Sequence, residues 1–327
     1  MPAGKNGSSR AGPYSSNNPA FIVGVPRSGT TLLVNLVGFH PLLAPIYETR
    51  FLRNLFDLCN SLCWFYGHSI LRRAAGLLRE PAVRARMHRD CDRFREKAIK
   101  YSTYSSTFLR KQEYESFPFG QITCIHYTQE DLIRETDRWL EKVKSGGLSS
   151  ASVWTSAQEY INRLFAIHCE RMGKPHWINK TPGFLNHLDG LSRLYPQAQL
   201  IHVVRDGRDV ALSNLSLRWG PSTVQQAARR WKALFMEGQN TIKSKNLRCT
   251  VVRYEELVDS PRTVLGHLFE FMGLDADLDA ILSSMPVSKA RSGAWRAKFS
   301  PEDRRIFARE AGDLLIQLGY ESNREWV

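Results

Sequence analysis

The chain has 327 residues, of which 43% are hydrophobic and 24% charged, and its formal net charge is +13. That length supports one large or two small domains with proper cores, and the mixture excludes wholesale disorder and collagen-like repeats. The positive balance favours anionic ligands or surfaces without choosing among a nucleotide, a polysaccharide and nucleic acid.

No stretch approaches the roughly 18 consecutive apolar residues that a membrane span needs. The opening MPAGKNGSSRAGPYSSNNPA has no apolar run of the secretory type. It reads as a flexible tail over 1–19, with too little apolar surface to offset the entropy of ordering, and a cytoplasmic location is expected. Cys59, Cys63, Cys91, Cys124, Cys169 and Cys249 form no C-x-x-C pair and no zinc spacing with histidine. They are expected to be thiols in a reducing compartment, the alternative being a disulfide from Cys59 to a distant partner.

AFIVGVPRSGTTLLVNLVGFHP predicts a short buried strand, a glycine-containing turn and an amphipathic helix from near Gly29. HWINKTP predicts a strand ending at Lys180, and AQLIHVVRDGRDVALSNL a strand bounded by Arg205, a turn and a helix. RCTVVRYEELVDSP predicts a fourth strand, then a helix with Ser260 as N-cap, Pro261 at its first position and Gly273 ending it. Continuous apolar strands alternating with helices predict an α/β fold: a P-loop-type parallel sheet flanked by helices, in a single domain over 20–327. Residues 50–170 read as a mostly helical insertion between the first and later strands, of the kind that builds the substrate side of a site. Its arginine-rich centre, LRRAAGLLREPAVRARMHRDCDRFREKAIK, is either such a surface or a solvated helix face. No nucleic-acid partner is expected, because aromatic stacking residues are not interleaved with the cations.

GVPRSGTTLL opens like a phosphate-binding loop, whose converging amides and following helix dipole hold an anion. A Walker A loop needs a lysine where this chain has Thr30, and a metal-binding carboxylate where LIHVV ends in Arg205. A metal-dependent kinase is therefore disfavoured, and a single 5′-phosphate-linked group held without metal fits both absences. Arg27, with the backbone and hydroxyls of Ser28, Gly29, Thr30 and Thr31, would hold it. Ser213 stands eight residues after Arg205, so guanidinium and hydroxyl can meet a further phosphate, with Arg208 nearby. A local Arg205–Asp209 ion pair is the plainer alternative.

These residues resemble a known family. PRSGTTLL looks like the 5′-phosphosulfate loop of sulfotransferases that use 3′-phosphoadenosine 5′-phosphosulfate (PAPS), and RDGRDVALS looks like their 3′-phosphate motif. PIYETRFL is similar to the segment carrying the glutamate base in tyrosylprotein sulfotransferases. RSGAWRAKFSPEDRRIFAREAGDLLIQLGY is similar to the C-terminal G-x-W-R segment and last helix of bacterial-type members, with Ala294 a mild departure. The likeness runs over residues 20–320, is weakest across 50–150, and speaks to the cofactor much more than to the acceptor.

What the resemblance implies is metal-independent, in-line transfer of a sulfuryl group from PAPS to a hydroxyl acceptor, and the basic, helical character of residues 50–150 points to a polar or anionic one. Glu48 would be the base, its pKa raised toward neutrality by partial burial, with His40, His126 and His187 as competitors. Arg27 and Lys180 would meet the leaving-group charge. Arg205 and Ser213 would bind the 3′-phosphate, Tyr254 would contact the cofactor, and Trp295 and Arg296 with Ser292 and Gly293 would close over it. A carbohydrate, lipid or small natural product ranks first as acceptor, ahead of peptidyl tyrosine and of a non-catalytic binding protein.

Overall fold

The structure, a computed structural model, describes Tyr14 and residues 18–74, 80–112 and 127–327. Among these residues, short aliphatic runs build five strands: β1 (Ala20–Gly24), β2 (Leu43–Tyr47), β3 (His176–Lys180), β4 (Gln199–Val204) and β5 (Cys249–Arg253). They form one parallel sheet in the order β2-β3-β1-β4-β5. The helices follow as α1 (Thr30–Gly38), α2 (Phe51–Ala74), α3 (Glu80–Gln112), α4 (Gln129–Lys144), α5 (Val153–Met172) and α6 (Leu188–Leu194). After β4 come α7 (Gly207–Leu215) and α8 (Val224–Ser244). After β5 come α9 (Tyr254–Asp259), α10 (Pro261–Met272), α11 (Leu278–Ser284), α12 (Trp295–Lys298) and α13 (Pro301–Gln317).

The α/β architecture is the expected one, and strand alternation divides its core in two. Phe21, Val23, Trp177 and Leu200 face one layer, with apolar residues of α2, α5, α8 and α13. Ala20, Ile22, Ile178, Ile201 and Val203 face the other, with α1 and α10. Burial on both faces is why these strands read as unbroken apolar runs.

Three differences from the sequence reading have physical causes. β2 (LAPIY) was not among the expected strands, because Pro45 interrupts its run. It occupies the sheet edge, where a proline's missing N–H breaks no ladder. Lys174 secures its start by donating to the carbonyls of Gly38, His40 and Leu43 at 2.6, 3.1 and 3.1 Å. The helical segment α2–α5 consequently sits between β2 and β3. Tyr14, inside the stretch read as tail, is buried and donates to the Trp177 carbonyl at 2.7 Å, one aromatic anchor among small polar residues. Ser260 takes the N-cap position of α10 without a capping bond, its hydroxyl turning to Asp259.

α2 and α3 run antiparallel, joined by Ser61 to Asp90 at 2.8 Å and by Arg86 over the Trp64 ring. Met87, Cys91, Phe94 and Ala98 bury one face of α3, while Arg84, Arg86, Arg89, Arg93 and Lys97 are exposed. The basic run over the described part of α3 is thus the outer face of an amphipathic helix. Cys59 is a buried free thiol, pushed well above the usual value by burial, and Cys63, Cys91, Cys169 and Cys249 are free as well. Cys124 lies outside the described residues.

The turn from β4 into α7 is packed so closely that a Cβ on Gly207 would stand 2.5 Å from Cδ2 of the buried Trp231 ring. Gly207→Ala is expected to destabilise the fold by about 1–3 kcal/mol, the usual range for overpacking. A lowered urea midpoint with an unchanged slope would register this.

Candidate active site

All strands point the same way, so their carboxyl ends open on one edge of the sheet, where parallel α/β folds place ligands. Each end carries a residue with chemistry: Gly24 closes β1, Glu48 follows β2, Lys180 closes β3, Arg205 follows β4 and Tyr254 follows β5.

The β1–α1 loop has the form of an anion cradle. Ser28 N–H donates to the Val25 carbonyl at 3.1 Å, and the helix ladder begins only with Leu33 N–H on the Gly29 carbonyl at 3.2 Å. The amides of Thr30, Thr31 and Leu32 therefore have no acceptor within α1, and no acidic residue sits in its first turn. Arg27 and Gly29 adopt left-handed conformations, φ 78° and 96°. Gly29 is required sterically as well, since a Cβ would stand 2.3 Å from the Tyr254 ring.

Arg27, Arg205, Ser213 and Tyr254 come together beside this loop. Arg27 Nε donates to Ser213 Oγ at 2.9 Å, and Arg205 Nη1 donates to the Arg27 carbonyl at 3.1 Å. Arg205 Nη2 reaches the Arg291 carbonyl and lies 3.6 Å from Asp209, while the guanidinium stacks over the Tyr254 ring at 4.3 Å. The local Arg205–Asp209 pair thus coexists with the cluster. Arg205 Nε is buried and without a hydrogen-bond partner among the described residues.

Arg208 departs from its expected place near a phosphate. It is fully buried, lies 3.8 Å over the Trp295 ring and 4.5 Å over Trp326, and pairs with Asp206 and Glu321. Trp295 is accordingly a buried support of its loop, and Arg296 is exposed with its guanidinium over that same ring. Asp209 draws the loop to α7, accepting from the amides of Gly293 at 2.7 Å and Trp295 at 3.0 Å.

The other half of the edge belongs to Glu48 and Lys180. Lys180 Nζ meets Glu48 Oε1 at 2.7 Å and lies 5.4 Å over the Tyr47 ring, while Arg50 Nε reaches Glu48 Oε2 at 3.4 Å. The Lys180 side chain is 4% exposed, so it is not a surface lysine. Burial alone would raise the Glu48 carboxyl, and that is its largest single influence. The combined charges and hydrogen bonds of Lys180 and Arg50 overcome it and hold Glu48 below its ordinary value. The expected upward shift is thereby reversed. Glu48 also has a left-handed backbone, φ 52°, which costs a non-glycine residue on the order of 1 kcal/mol.

His40 is bound to the Asp275 carbonyl at 2.9 Å and stacked on Phe269, as a structural histidine would be. His187 stands at the N-terminus of α6, lowered by burial and by nearby Arg53. His126 lies outside the described residues.

Sequence reasoning passed over Thr49, Asn179 and Thr181, which are buried and bonded to one another around the Glu48–Lys180 pair. Their signal was a hydroxyl directly after the glutamate in ETR and an amide and a hydroxyl on either side of the lysine in NKT. A further cleft of about 580 Å³ is lined by residues of α9, α10 and the 285–294 loop, including Glu255, Asp259, His267, Lys289 and Ser292. Among the described residues, no group of three or more His, Cys, Asp or Glu side chains is arranged to hold a metal ion.

A carboxyl with a depressed pKa stabilises the fold above its unfolded value, about 4.3, and that contribution fades as pH falls through the folded value. Glu48→Gln is therefore expected to lower stability at pH 7, where it leaves Lys180 buried and unpaired. The deficit relative to the wild type should shrink on acidification below pH ~4.3. Urea unfolding of both proteins across that range measures it, and a constant deficit would refute the ionised pair.

The sulfotransferase family model matches residues 19–278. A protein-tyrosine sulfotransferase A of Caenorhabditis elegans is 22% identical over 152 residues, 44% of this chain and 39% of that protein. An uncharacterised protein of Aquifex aeolicus is 23% identical over 310 residues, 87% of this chain and 30% of that one. The chain thus spans only 30% and 39% of the lengths of these two curated relatives. In three dimensions, the sulfotransferase domain of the Synechococcus PCC 7002 olefin synthase superposes with a TM-score of 0.51 at 20% identity, over 93% of this chain and 98% of that domain. With most of its length matched by one family model and a parallel α/β fold shared with a solved member, the chain belongs to the sulfotransferase family.

Proposed function

We propose that the protein moves the sulfuryl group of PAPS to a hydroxyl of a carbohydrate, lipid or small natural product, with Glu48 as base and no metal. The observation that carries this reading is the meeting of two distant motifs. Arg27 of the β1–α1 loop bonds Ser213 of α7, and Arg205 bonds the Arg27 carbonyl, across 186 and 178 residues of sequence. The donor set suits an anion with two separated phosphoryl groups. It offers two guanidinium groups, the hydroxyls of Ser28, Thr30, Thr31 and Ser213, first-turn amides, and a buried Arg205 Nε with no hydrogen-bond partner among the described residues.

When bound, PAPS supplies a sulfuryl group whose S–O bond to the 5′-phosphate breaks as the acceptor oxygen bonds to sulfur. Arg205 and Ser213 hold the 3′-phosphate, with Tyr254 seating the guanidinium. Arg27 and the amides of Ser28–Thr31 hold the 5′ end, and Trp295 and Arg296 secure the loop beside them. Glu48 is ionised at neutral pH and accepts the acceptor's proton at its carboxylate late in transfer. Lys180 is the partner of that carboxylate at 2.7 Å. Protonating Glu48 removes the countercharge of Lys180 at the moment negative charge grows on the leaving phosphate, so the lysine's field becomes available to it. Proton acceptance and leaving-group stabilisation are thereby coupled in one ion pair.

A tyrosyl acceptor is the second reading, favoured by the similarity of ETR and NKTP to tyrosylprotein sulfotransferases and by the local match to the nematode enzyme. Incubation with sulfur-labelled PAPS and a panel of glycans, lipids, hydroxylated metabolites and tyrosine peptides separates these readings by product mass. A protein that binds PAPS yet neither transfers nor releases sulfate is a binder, and the catalytic reading falls.

Arg205→Ala is expected to weaken binding of 3′,5′-diphosphoadenosine at least tenfold more than binding of AMP, the scale of a lost charge-assisted contact, ~1.5–3 kcal/mol. Calorimetry with both nucleotides checks this, and equal losses would contradict the 3′-phosphate assignment. Glu48→Gln should lower turnover by about 10²-fold or more while nucleotide affinity stays nearly unchanged. Undiminished turnover would move the base to a histidine.

A further inference from the structure

Glu48 and Lys180 are flanked by a closed ring of buried hydrogen bonds. Asn179 Nδ2 donates to Thr49 Oγ1 at 2.8 Å, Thr49 and Thr181 share a hydroxyl bond at 3.2 Å, and Thr181 Oγ1 donates to Asn179 Oδ1 at 3.0 Å. With Thr181 and Asn179 donating as given, Thr49 donates to Thr181 and the ring closes in a single direction. Thr181 Oγ1 additionally accepts the Thr49 amide at 3.0 Å. The three residues are 2%, 0% and 4% exposed in the order Thr49, Asn179, Thr181, so water does not compete for these bonds.

The ring's place in the chain gives it meaning beyond stability. Thr49 is the residue after Glu48, and Asn179 and Thr181 are the residues on either side of Lys180. The Glu48 amide itself donates to the Lys180 carbonyl at 2.8 Å, which completes the stitching of the two strand ends. Glu48 adopts a conformation that only an over-determined surrounding sustains, and the ring is what over-determines it. We propose that Thr181, acting with Thr49 and Asn179, is the positioning residue of this site: it locks the β2 and β3 ends together so that the Glu48 carboxylate stays aimed at Lys180 and the acceptor. This rests on the reading of Glu48 as the base. Thr181 touches no reacting atom and acts through Glu48 alone.

The test is a double-mutant cycle on the full chain, with Thr181→Val as the isosteric loss of the hydroxyl and Thr181→Ser as its conservative counterpart. The probe is sulfur-labelled PAPS, with sulfate release to water and transfer to the best hydroxyl acceptor of the panel both followed. Thr181→Val is expected to lower kcat at least tenfold while affinity for 3′,5′-diphosphoadenosine changes less than twofold, and Thr181→Ser is expected to restore kcat to within threefold. In a Glu48→Gln background, Thr181→Val should cost no further turnover. An equal loss in both backgrounds, or an unchanged kcat in folded Thr181→Val, overturns the proposal. If Thr181→Val does not fold, Thr49→Val is read by the same criteria, since it keeps the Thr49 amide bond to Thr181.

A second readout is independent of turnover. In ¹³C-glutamate-labelled protein the Glu48 carboxyl, faced by Lys180 of β3 and by Arg50 before α2, should titrate at higher pH in Thr181→Val and return to the wild-type position in Thr181→Ser. An unshifted titration overturns the positioning role whatever the activity. Wild-type protein without any sulfate release would instead sink the catalytic reading, so the two failures are distinguishable.

Discussion

The pairing register of β2 with β3 sets Tyr47 opposite Lys180, and the chemistry at the sheet edge hangs on that alignment. With it in place, the next residue on β2 is Glu48, whose amide bonds the Lys180 carbonyl and whose carboxylate meets the ammonium. A slip of one residue would turn every side chain of the edge strand to the opposite face, exchanging its buried set and removing Glu48 from Lys180. An edge strand has only one neighbour to hold its register. Here Lys174 fixes its entry, and the Thr49–Thr181–Asn179 ring fixes its exit.

The opposite half of the edge is organised by arginines, of which Arg205 is held by backbone carbonyls. Arg205 spans the Arg27 and Arg291 carbonyls, so the β1–α1 loop and the loop before α12 are tied to a single guanidinium. Asp209 holds the second of these loops by two amides. Beneath it, Arg208 between Trp295 and Trp326 replaces hydration with two aromatic faces and two carboxylates. The two arginines of one RDGRD motif therefore do different work: Arg205 lines the loop cluster, and Arg208 supports the platform under it.

A phosphate-type loop with threonine in place of lysine leaves open where its cationic help originates. In the proposed reading it comes from neighbouring strands. Lys180 closes β3 and Arg205 follows β4, the two strands that flank β1 in the sheet. A charge carried on a strand end has less freedom than one on the loop itself, because the ladder on either side fixes its backbone. For Lys180, the Tyr47 ring and Glu48 fix the side chain as well. Cations held in this way suit the proposed work of positioning and charge neutralisation.

Much of this was legible from residue order. Gly29 before a helix, the apolar runs ending at Lys180 and Arg205, and the eight-residue spacing to Ser213 are local patterns, and local sterics dictate them. The parallel α/β class followed from strands buried on both faces. What no local pattern carried was β2, since Pro45 masks a strand whose edge position alone makes proline acceptable. The ionisation of Glu48 was also misjudged: burial was foreseeable, but the sign depended on Lys180 arriving from 132 residues away. The same holds for Arg208, whose role was decided by aromatic rings from the last part of the chain, and for the buried ring around Thr181. Sequence alone determined which groups end on strands and loops; the tertiary structure decided which of them share a low-dielectric space, and there the nearest charge or hydrogen bond outweighs any intrinsic tendency of the residue.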